Sequence, residues 1–402
     1  MRILQFCHKP PYPPNSGGSI AMNSITQTLL KEGHSVTVWA IESPNHRIDE
    51  NQLNADYQRN TNFQSFFVDT TPKAADAVRA GLHKQTYRVE RYYTKELANK
   101  LIQLLQEQTF DIIQLETPYT TPYIDLIRKY SSAKIVFRPH KIEHLSWARI
   151  AQQESNLWRK LFLQYRIQSL KNYERELGGK IDACIAVSDF DDRYFSKIYT
   201  QIPCQVIPVG LNIDDYEIKE EYLPSANPTL FNLSSWDVLS NVEGAEWFFQ
   251  EVWPLILKNF PDTTMHIAGK NIPEDLQKLM TRNVVIEGEV ASANDFMQTH
   301  DIMIVPLLTG SGVPVKILEG MALGKTVITT SAGAESLRAE NGKQLLVADT
   351  PQEFVSHIGT CIQTPDICAF IGENARNFVA LQHNNDLIVK QLIKFYNTLL
   401  AR

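Results

Sequence analysis

Two residues three positions apart, Lys316 and Glu319, follow a short glycine-bearing stretch, Thr309-Gly310-Ser311-Gly312. Glycines allow backbone N–H groups to come close to a ligand. Pro314 suits the first position of a helix, where a missing N–H costs nothing. A helix that starts after such a loop is an anion site. The N–H groups of Gly310, Ser311, Gly312 and Val313 are therefore candidates to hold a phosphate. Lys316, one turn in, can neutralise phosphate oxygens. Glu319, one turn further, can accept two hydrogen bonds from a ribose diol. The alternative is a solvent-facing Lys–Glu pair worth about 0.2–0.5 kcal/mol.

The elements that must position these residues are legible on both sides. Ile302 to Val305 is an apolar run ending at Pro306, which suits a buried parallel strand. The helix runs to about Leu323, with Val315, Leu318 and Ala322 on one stripe widened by Ile317 and Met321. Gly324 is a left-handed cap. Thr326 to Thr330 is β-branched and begins the next strand. Strand, glycine loop, helix and strand follow one another, with a phosphate expected at the start of the helix.

The segment GSGVPVKILEGMALGKTVITTSAGAE resembles the nucleotide-sugar site of the retaining GT-B glycosyltransferases, specifically glycosyltransferase family 4. That family carries two glutamates in a pattern like EGFGxxxxEAMAxGxPVV. Glu319 matches the second, which the resemblance implies binds the nucleotide ribose. Ser311 stands where the first glutamate would be, so the chain is similar to the subgroup written GSGxxxKxLEAMAxGxPVVxTxxGAE. Pro314 replaces an Arg common in that subgroup.

A length of 402 residues predicts two domains. The apolar fraction of 43% and charged fraction of 21% describe a soluble globular chain. A net charge of -6 argues against nucleic acid as partner. Five cysteines without a CxxC pair read as reduced thiols of a cytoplasmic protein. Met1 leads straight into a strand, leaving no room for a signal peptide, and no window is long enough to span a membrane.

The chain opens with a βαβ unit: strand Ile3 to Phe6, a long loop to Gly17-Gly18, helix Ile20 to Glu32, and strand Ser35 to Ala40. The resemblance places the paired glycines near the transferred sugar and acceptor. Asn45 to Ala74 reads as irregular, and Ala75 to Glu107 as partly helical. Arg79, Lys84, Arg88 and Arg91 mix there with Leu82, Tyr87, Tyr92 and Tyr93, either a solvated face or an acceptor or membrane-surface patch. Strands Asp111 to Leu115 and Lys134 to Phe137 lead into polar segments, Glu116 to Tyr119 and Arg138 to His144. The resemblance implies that His140 helps bind the transferred sugar. The alternative is a histidine capping the next helix. His140, Glu143 and His144 supply no complete metal-ligand set.

Trp147 to Leu177 reads as one long helix with Trp158, Phe162 and Tyr165 near Arg159, Lys160 and Arg166. Strand Ile181 to Val187 precedes a helix capped by Ser188. Val206 to Asn212 resembles the family's VIPNGVD crossing, and Glu217 to Pro228 reads as a hinge. In the second half, strand Thr229 to Leu233 leads through Trp236 and Asn241, a W-x-x-x-x-N arrangement of the same subgroup, to helix Ala245 to Leu257. The family's Arg and Lys of this loop are missing. Lys270, after strand Thr264 to Ala268, is either a second diphosphate cation or an exposed lysine. Glu289-Val290, after strand Val284 to Gly288, is where the family reads the base through backbone groups. The last helix is implied to cross back to domain one.

The expected architecture is α/β, GT-B, two doubly wound Rossmann-like domains facing a cleft: residues 1–215, residues 216–385, and a C-terminal helix 386–402. The expected reaction moves a sugar from a nucleotide-diphosphate sugar to an acceptor hydroxyl with retention, in envelope or polysaccharide biosynthesis. Lys316 and the N–H groups of Gly310 to Val313, joined by Lys270 in the first of its two readings, would stabilise the departing diphosphate. No metal or other cofactor and no protein nucleophile is expected. The acceptor is a glycan, lipid-linked or small molecule, with peripheral membrane contact at the inner face. Two other classes stay open: a catalytically silent GT-B binding subunit, and a nucleotide-sugar 2-epimerase. An oxidoreductase is disfavoured because no GxGxxG follows the first strand.

Overall fold

A computed structural model describes residues 1–48, 53–71, 87–154, 156–218, 228–309 and 312–402. Gly310, Ser311, the 79–86 part of the basic-aromatic stretch and most of the 217–228 hinge lie outside the described residues. The chain divides into two compact units, Met1–Gly210 with Asn385–Arg402, and Leu211–Asn384.

In the first unit, β1 (Arg2–Cys7), β2 (Ser35–Glu42), β3 (Gln64–Phe67), β4 (Ile112–Glu116), β5 (Lys134–Arg138), β6 (Ala183–Ala186) and β7 (Cys204–Val206) form a parallel sheet in the order β3-β2-β1-β4-β5-β6-β7. Alternation along β1 divides its side chains between two cores. Leu4 and Phe6 join Ile113, Leu115, Ile135 and Phe137 on one face. Ile3 and Cys7 join Ile112 and Val136 on the other. Both faces are covered, as a doubly wound parallel sheet requires. The helix Asn385–Leu400 belongs to this unit and buries Ile388, Val389, Leu392, Tyr396 and Leu399 in the second core.

The second unit holds β8 (Leu230–Leu233), β9 (Met265–Ala268), β10 (Val284–Gly288), β11 (Ile302–Val305), β12 (Thr326–Thr329) and β13 (Leu346–Val347), ordered β10-β9-β8-β11-β12-β13. In each sheet the order reverses beside its first strand. That reversal creates a crevice at the carboxyl ends of β1 and β4, and of β8 and β11.

Four expectations are corrected. The stretch read as irregular contains the helix Ala55–Thr61, capped by Asn54, and strand β3. β3 is an edge strand whose Phe67 is exposed and lies under the Arg47 guanidinium at 3.6 Å, so it shows little apolar alternation. The long helix is two helices, Glu143–Gln153 and Leu157–Leu177. Asn156 starts the second by accepting from the Arg159 N–H at 3.1 Å, a local bond that competes with continuing the first. The helix expected from Ala245 begins at Leu239 and passes through a π turn, Phe248–Val252, ahead of Trp253-Pro254. Pro254 has no N–H for the regular ladder, and the wider turn accommodates it. Pro314 is the cap of helix Val315–Ala322, one position before the first helical residue.

Candidate functional site

In the second unit, Lys316 sits on the first turn of its helix. Its Nζ donates to Ser234 Oγ at 2.7 Å and to Asn241 Oδ1 at 2.8 Å. Ser234 follows β8, so the ammonium is held at the crevice where the strand order reverses. Asn241 arrives on the helix Leu239–Trp247, which lies close against the end of β11 because residue 244 is glycine. A Cβ there would stand 1.9 Å from the Pro306 carbonyl oxygen. Both partners of Lys316 are neutral, and burial pulls its ammonium down to about 7.

Glu319 accepts the Tyr216 hydroxyl hydrogen bond at Oε1, 3.0 Å. Burial raises its carboxyl to about 7, against the opposing pull of that bond. Lys316 and Glu319 are both half-buried and each is held by its own partners. The alternative of a solvent-facing pair is therefore set aside. Thr309 Oγ1 donates to Glu243 Oε2 at 2.9 Å and Ser336 Oγ to the Gly312 carbonyl at 3.0 Å, fixing both margins of the glycine loop. Val313 is half-buried beside it. Lys270 is more than half exposed and pairs with Glu289 at 2.6 Å. Its cation is thus placed with Glu289-Val290 at the sheet edge, after β9 and β10.

In the first unit, a buried carboxylate organises the other crevice. Glu116, the last residue of β4, accepts from Gln5 Nε2 (2.9 Å) and from Gln114 at Oε1. At Oε2 it meets Arg138 Nη1 (3.1 Å) and His140 Nε2 (2.7 Å). Burial alone would raise its pKa; the Arg138 guanidinium and the His140 and Gln5 hydrogen bonds hold it instead at about 2. A permanent carboxylate fixes the imidazole: Nε2–H donates, and Nδ1 keeps its lone pair. Nδ1 lies 3.8 Å from where a Cβ on Gly18 would stand. Burial lowers the His140 pKa, with Glu116 opposing, so the ring is neutral at pH 7. The helix-capping alternative for His140 is corrected by this geometry, since the cap of helix Glu143–Gln153 is Ile142.

Three further groups share this crevice. The His8 ring stands edge-on to His140, centroids 5.5 Å apart, and its Nδ1 is buried without a partner. Burial, then the neighbouring His140, pushes its pKa well down. Lys9 donates to Ser16 Oγ at 2.8 Å, and a Cβ on Gly18 would stand 3.0 Å from its Nζ. Gly17 is the first residue of the helix Gly17–Lys31, capped by Ser16. Thr117, directly after Glu116, has φ 70 and a buried hydroxyl without a partner. A β-branched residue in that region carries strain of about 1–3 kcal/mol, as functional segments often do.

Helix Leu157–Leu177 shows a different feature. Leu157, Trp158, Leu161, Phe162 and Tyr165 are exposed, Trp158 at 80%. Trp158, Phe162 and Tyr165 therefore do not brace the core. Tyr92 and Tyr93 pack on Tyr119 and Tyr123 at centroid distances of 4.7 and 5.1 Å, with Tyr93 still exposed.

Residues 16–215 match the family model described as Glycosyltransferase Family 4, and residues 227–364 match the model described as Glycosyl transferases group 1. Together these matches support a glycosyltransferase of family 4. An uncharacterized 44.6 kDa protein in the cps region of Klebsiella pneumoniae is 22% identical over 96% of this glycosyltransferase and 97% of its own length. The fold is similar to sucrose-phosphate synthase from Thermosynechococcus elongatus, with TM-score 0.74, 13% identity and 100% of both chains covered. It is also similar to Anabaena HepE in complex with UDP-glucose, with TM-score 0.66, 16% identity, and 99% and 100% covered.

Sequence reasoning on the glycosyltransferase did not single out Gln5, His8, Lys9, Ser234 or Tyr216 as site groups, whereas Glu116 and Arg138 lay in the polar segments it marked at the ends of β4 and β5. Glu116 and Arg138 carried the one usable signal, a charged residue at the end of an otherwise apolar strand. Tyr216 carried none, because its link to Glu319 spans 103 positions.

Proposed function

We propose that this glycosyltransferase moves a sugar from a nucleoside-diphosphate sugar to an acceptor hydroxyl, with retention of anomeric configuration, in polysaccharide or glycoconjugate synthesis. The observation that carries the donor assignment is Lys316, an ammonium held by two neutral groups at the strand-order reversal, one turn before a half-buried carboxylate. In this reading Lys316 meets the diphosphate, whose negative charge grows as the sugar departs, so its stabilisation is greatest in the transition state. Glu319 takes the ribose diol, with the backbone N–H groups of Gly312 and Val313 on the phosphates. Lys270 is free for the diphosphate once its exposed pair with Glu289 opens, and Glu289-Val290 faces the base. The neutral His140, with Nδ1 accepting, suits an uncharged sugar hydroxyl. HepE, named in complex with UDP-glucose, supports a UDP-sugar as the first donor to try. The cps-region relative supports a polysaccharide context.

For the acceptor, we read the exposed apolar stripe of helix Leu157–Leu177 as a membrane-contact face. It carries Arg159, Lys160 and Arg166, and each cation near an anionic surface contributes about 1 kcal/mol. Among the described residues no helix is long and apolar enough to cross a membrane; in this reading the contact is peripheral, and it favours a lipid-linked acceptor over a soluble glycan or small molecule.

A nucleotide-release assay over a panel of nucleotide sugars, with and without acceptor, tests this function. Acceptor-dependent release of nucleoside diphosphate with an α-configured product from an α-linked donor is expected. Release with epimerised free sugar and no acceptor dependence would indicate the 2-epimerase. Binding without release would indicate the silent subunit.

A further inference from the structure

We propose that His266, Glu287 and His300 form a binding site for one zinc-class divalent ion, separate from the donor crevice. The three residues come from different segments: His266 from β9, Glu287 from β10, and His300 from just before β11. One potential ligand atom from each lies within 4.8 Å of the others. Two imidazoles and one carboxylate are a ligand set that zinc takes in three-residue sites, with a fourth position left for water.

Local structure brings them together. His266 is the register partner of Phe231 on β8, and the His266 and His300 rings lie 4.3 Å apart between centroids. The β9–β10 register shifts between Ile286 and Gly288, so Glu287 occupies the irregularity. Such a bulge re-aims a side chain, and Glu287 Oε1 comes to 3.0 Å from His266 Nδ1. Ligand atoms each about 2.1 Å from a tetrahedral ion stand roughly 3.4 Å apart, so a small adjustment seats a metal between them.

The tautomer of His300 is already set. Its Nδ1 lies 2.7 Å from the Phe296 carbonyl and donates to it, leaving the Nε2 lone pair as the ligand. A backbone carbonyl holding the far nitrogen is the usual support of a metal-bound histidine. The neighbouring cation, Lys325, is bound to the His300 carbonyl at 2.7 Å and not to the ring. His300 precedes β11 and His266 is the second residue of β9, whereas Lys316 and Ser234 lie at the carboxyl ends of β8 and β11. The ion's role is therefore structural, tying the edge strand β10 to β9 and to the segment entering β11.

The test is metal binding to the full chain after chelator treatment, using Zn2+ for thermal stability and content and Co2+ for its visible spectrum. The expected result is one equivalent per chain, a raised melting temperature with Zn2+, and a Co2+ spectrum of low coordination number. Glu287→Gln, at an exposed position, should keep the fold and weaken affinity at least about tenfold. His266→Ala with Glu287→Gln should abolish binding. If the wild type shows no stoichiometric binding, or if the double variant binds equally, the contact is an ordinary His–Glu hydrogen bond and the proposal is wrong.

Discussion

The Tyr216 hydroxyl donates to Glu319 Oε1 at 3.0 Å, so a 3-10 turn at Ile213–Tyr216 sets the charge of a carboxylate on the helix Val315–Ala322. Burial places that carboxyl at about 7, and the phenol keeps it from rising further. Tyr216→Phe removes the donor, so the carboxyl titrates higher and is neutral at pH 7. A neutral acid accepts from a ribose diol less well. Nucleoside affinity at pH 7 should fall roughly five- to tenfold, the worth of about one hydrogen bond, and recover as pH rises. Isothermal titration across pH 6 to 9 checks this; an unchanged profile argues against the ribose assignment.

Lys316 should couple diphosphate binding to proton uptake. Free, its ammonium titrates at about 7 because burial disfavours the charge. A bound diphosphate favours the charge and raises that value. Between the free and bound values, binding takes up a proton, so affinity falls as pH rises above about 7. Titration at pH 8 in two buffers of different ionisation enthalpy should show uptake in the wild type and none in Lys316→Met.

The Glu116 network predicts an acid-sensitive first unit. Its folded pKa, about 2, lies below the ordinary carboxylate value of 4.5. Its stabilisation is therefore present above about 4.5 and lost as pH falls towards 2. Glu116→Gln leaves Arg138 buried without its counter-charge and should cost about 3 kcal/mol at pH 7. Denaturant melts at pH 3 and pH 7 should show a much smaller difference in the variant than in the wild type. An equal difference would mean that Glu116 does not carry the linkage.

The aromatic stripe of helix Leu157–Leu177 should bind vesicles containing anionic lipid at low salt. Trp158→Ser with Phe162→Ser should release the protein while leaving its melting temperature nearly unchanged, because both side chains are exposed. Flotation with and without anionic lipid measures it. A variant that still floats would place the contact elsewhere.

The central strands and the glycine-loop helix were legible because their signals are local. Ile302 to Val305 is buried on both faces and reads as an unbroken apolar run. Ser188 caps its helix by accepting from the Asp191 N–H. What was hidden depends on contacts far apart in sequence. Lys316 was visible as a cation, but Ser234 lies 82 positions away and Asn241 75. Glu116 could be placed at a strand end, yet its saturation by Gln5, Gln114, Arg138 and His140 follows only from the β1-β4-β5 pairing. The break before Asn156 and the edge strand β3 were missed because propensity favoured a continuous helix and alternation was weak.

The most direct test of the account compares a nucleoside diphosphate with its nucleoside, UDP against uridine, in the wild type and in Lys316→Ala. If Lys316 meets the diphosphate, the variant should lose at least about tenfold of UDP affinity, the range of one charge-assisted bond, with uridine affinity little changed. Equal losses for both ligands, or none for UDP, would contradict the donor site described for this glycosyltransferase.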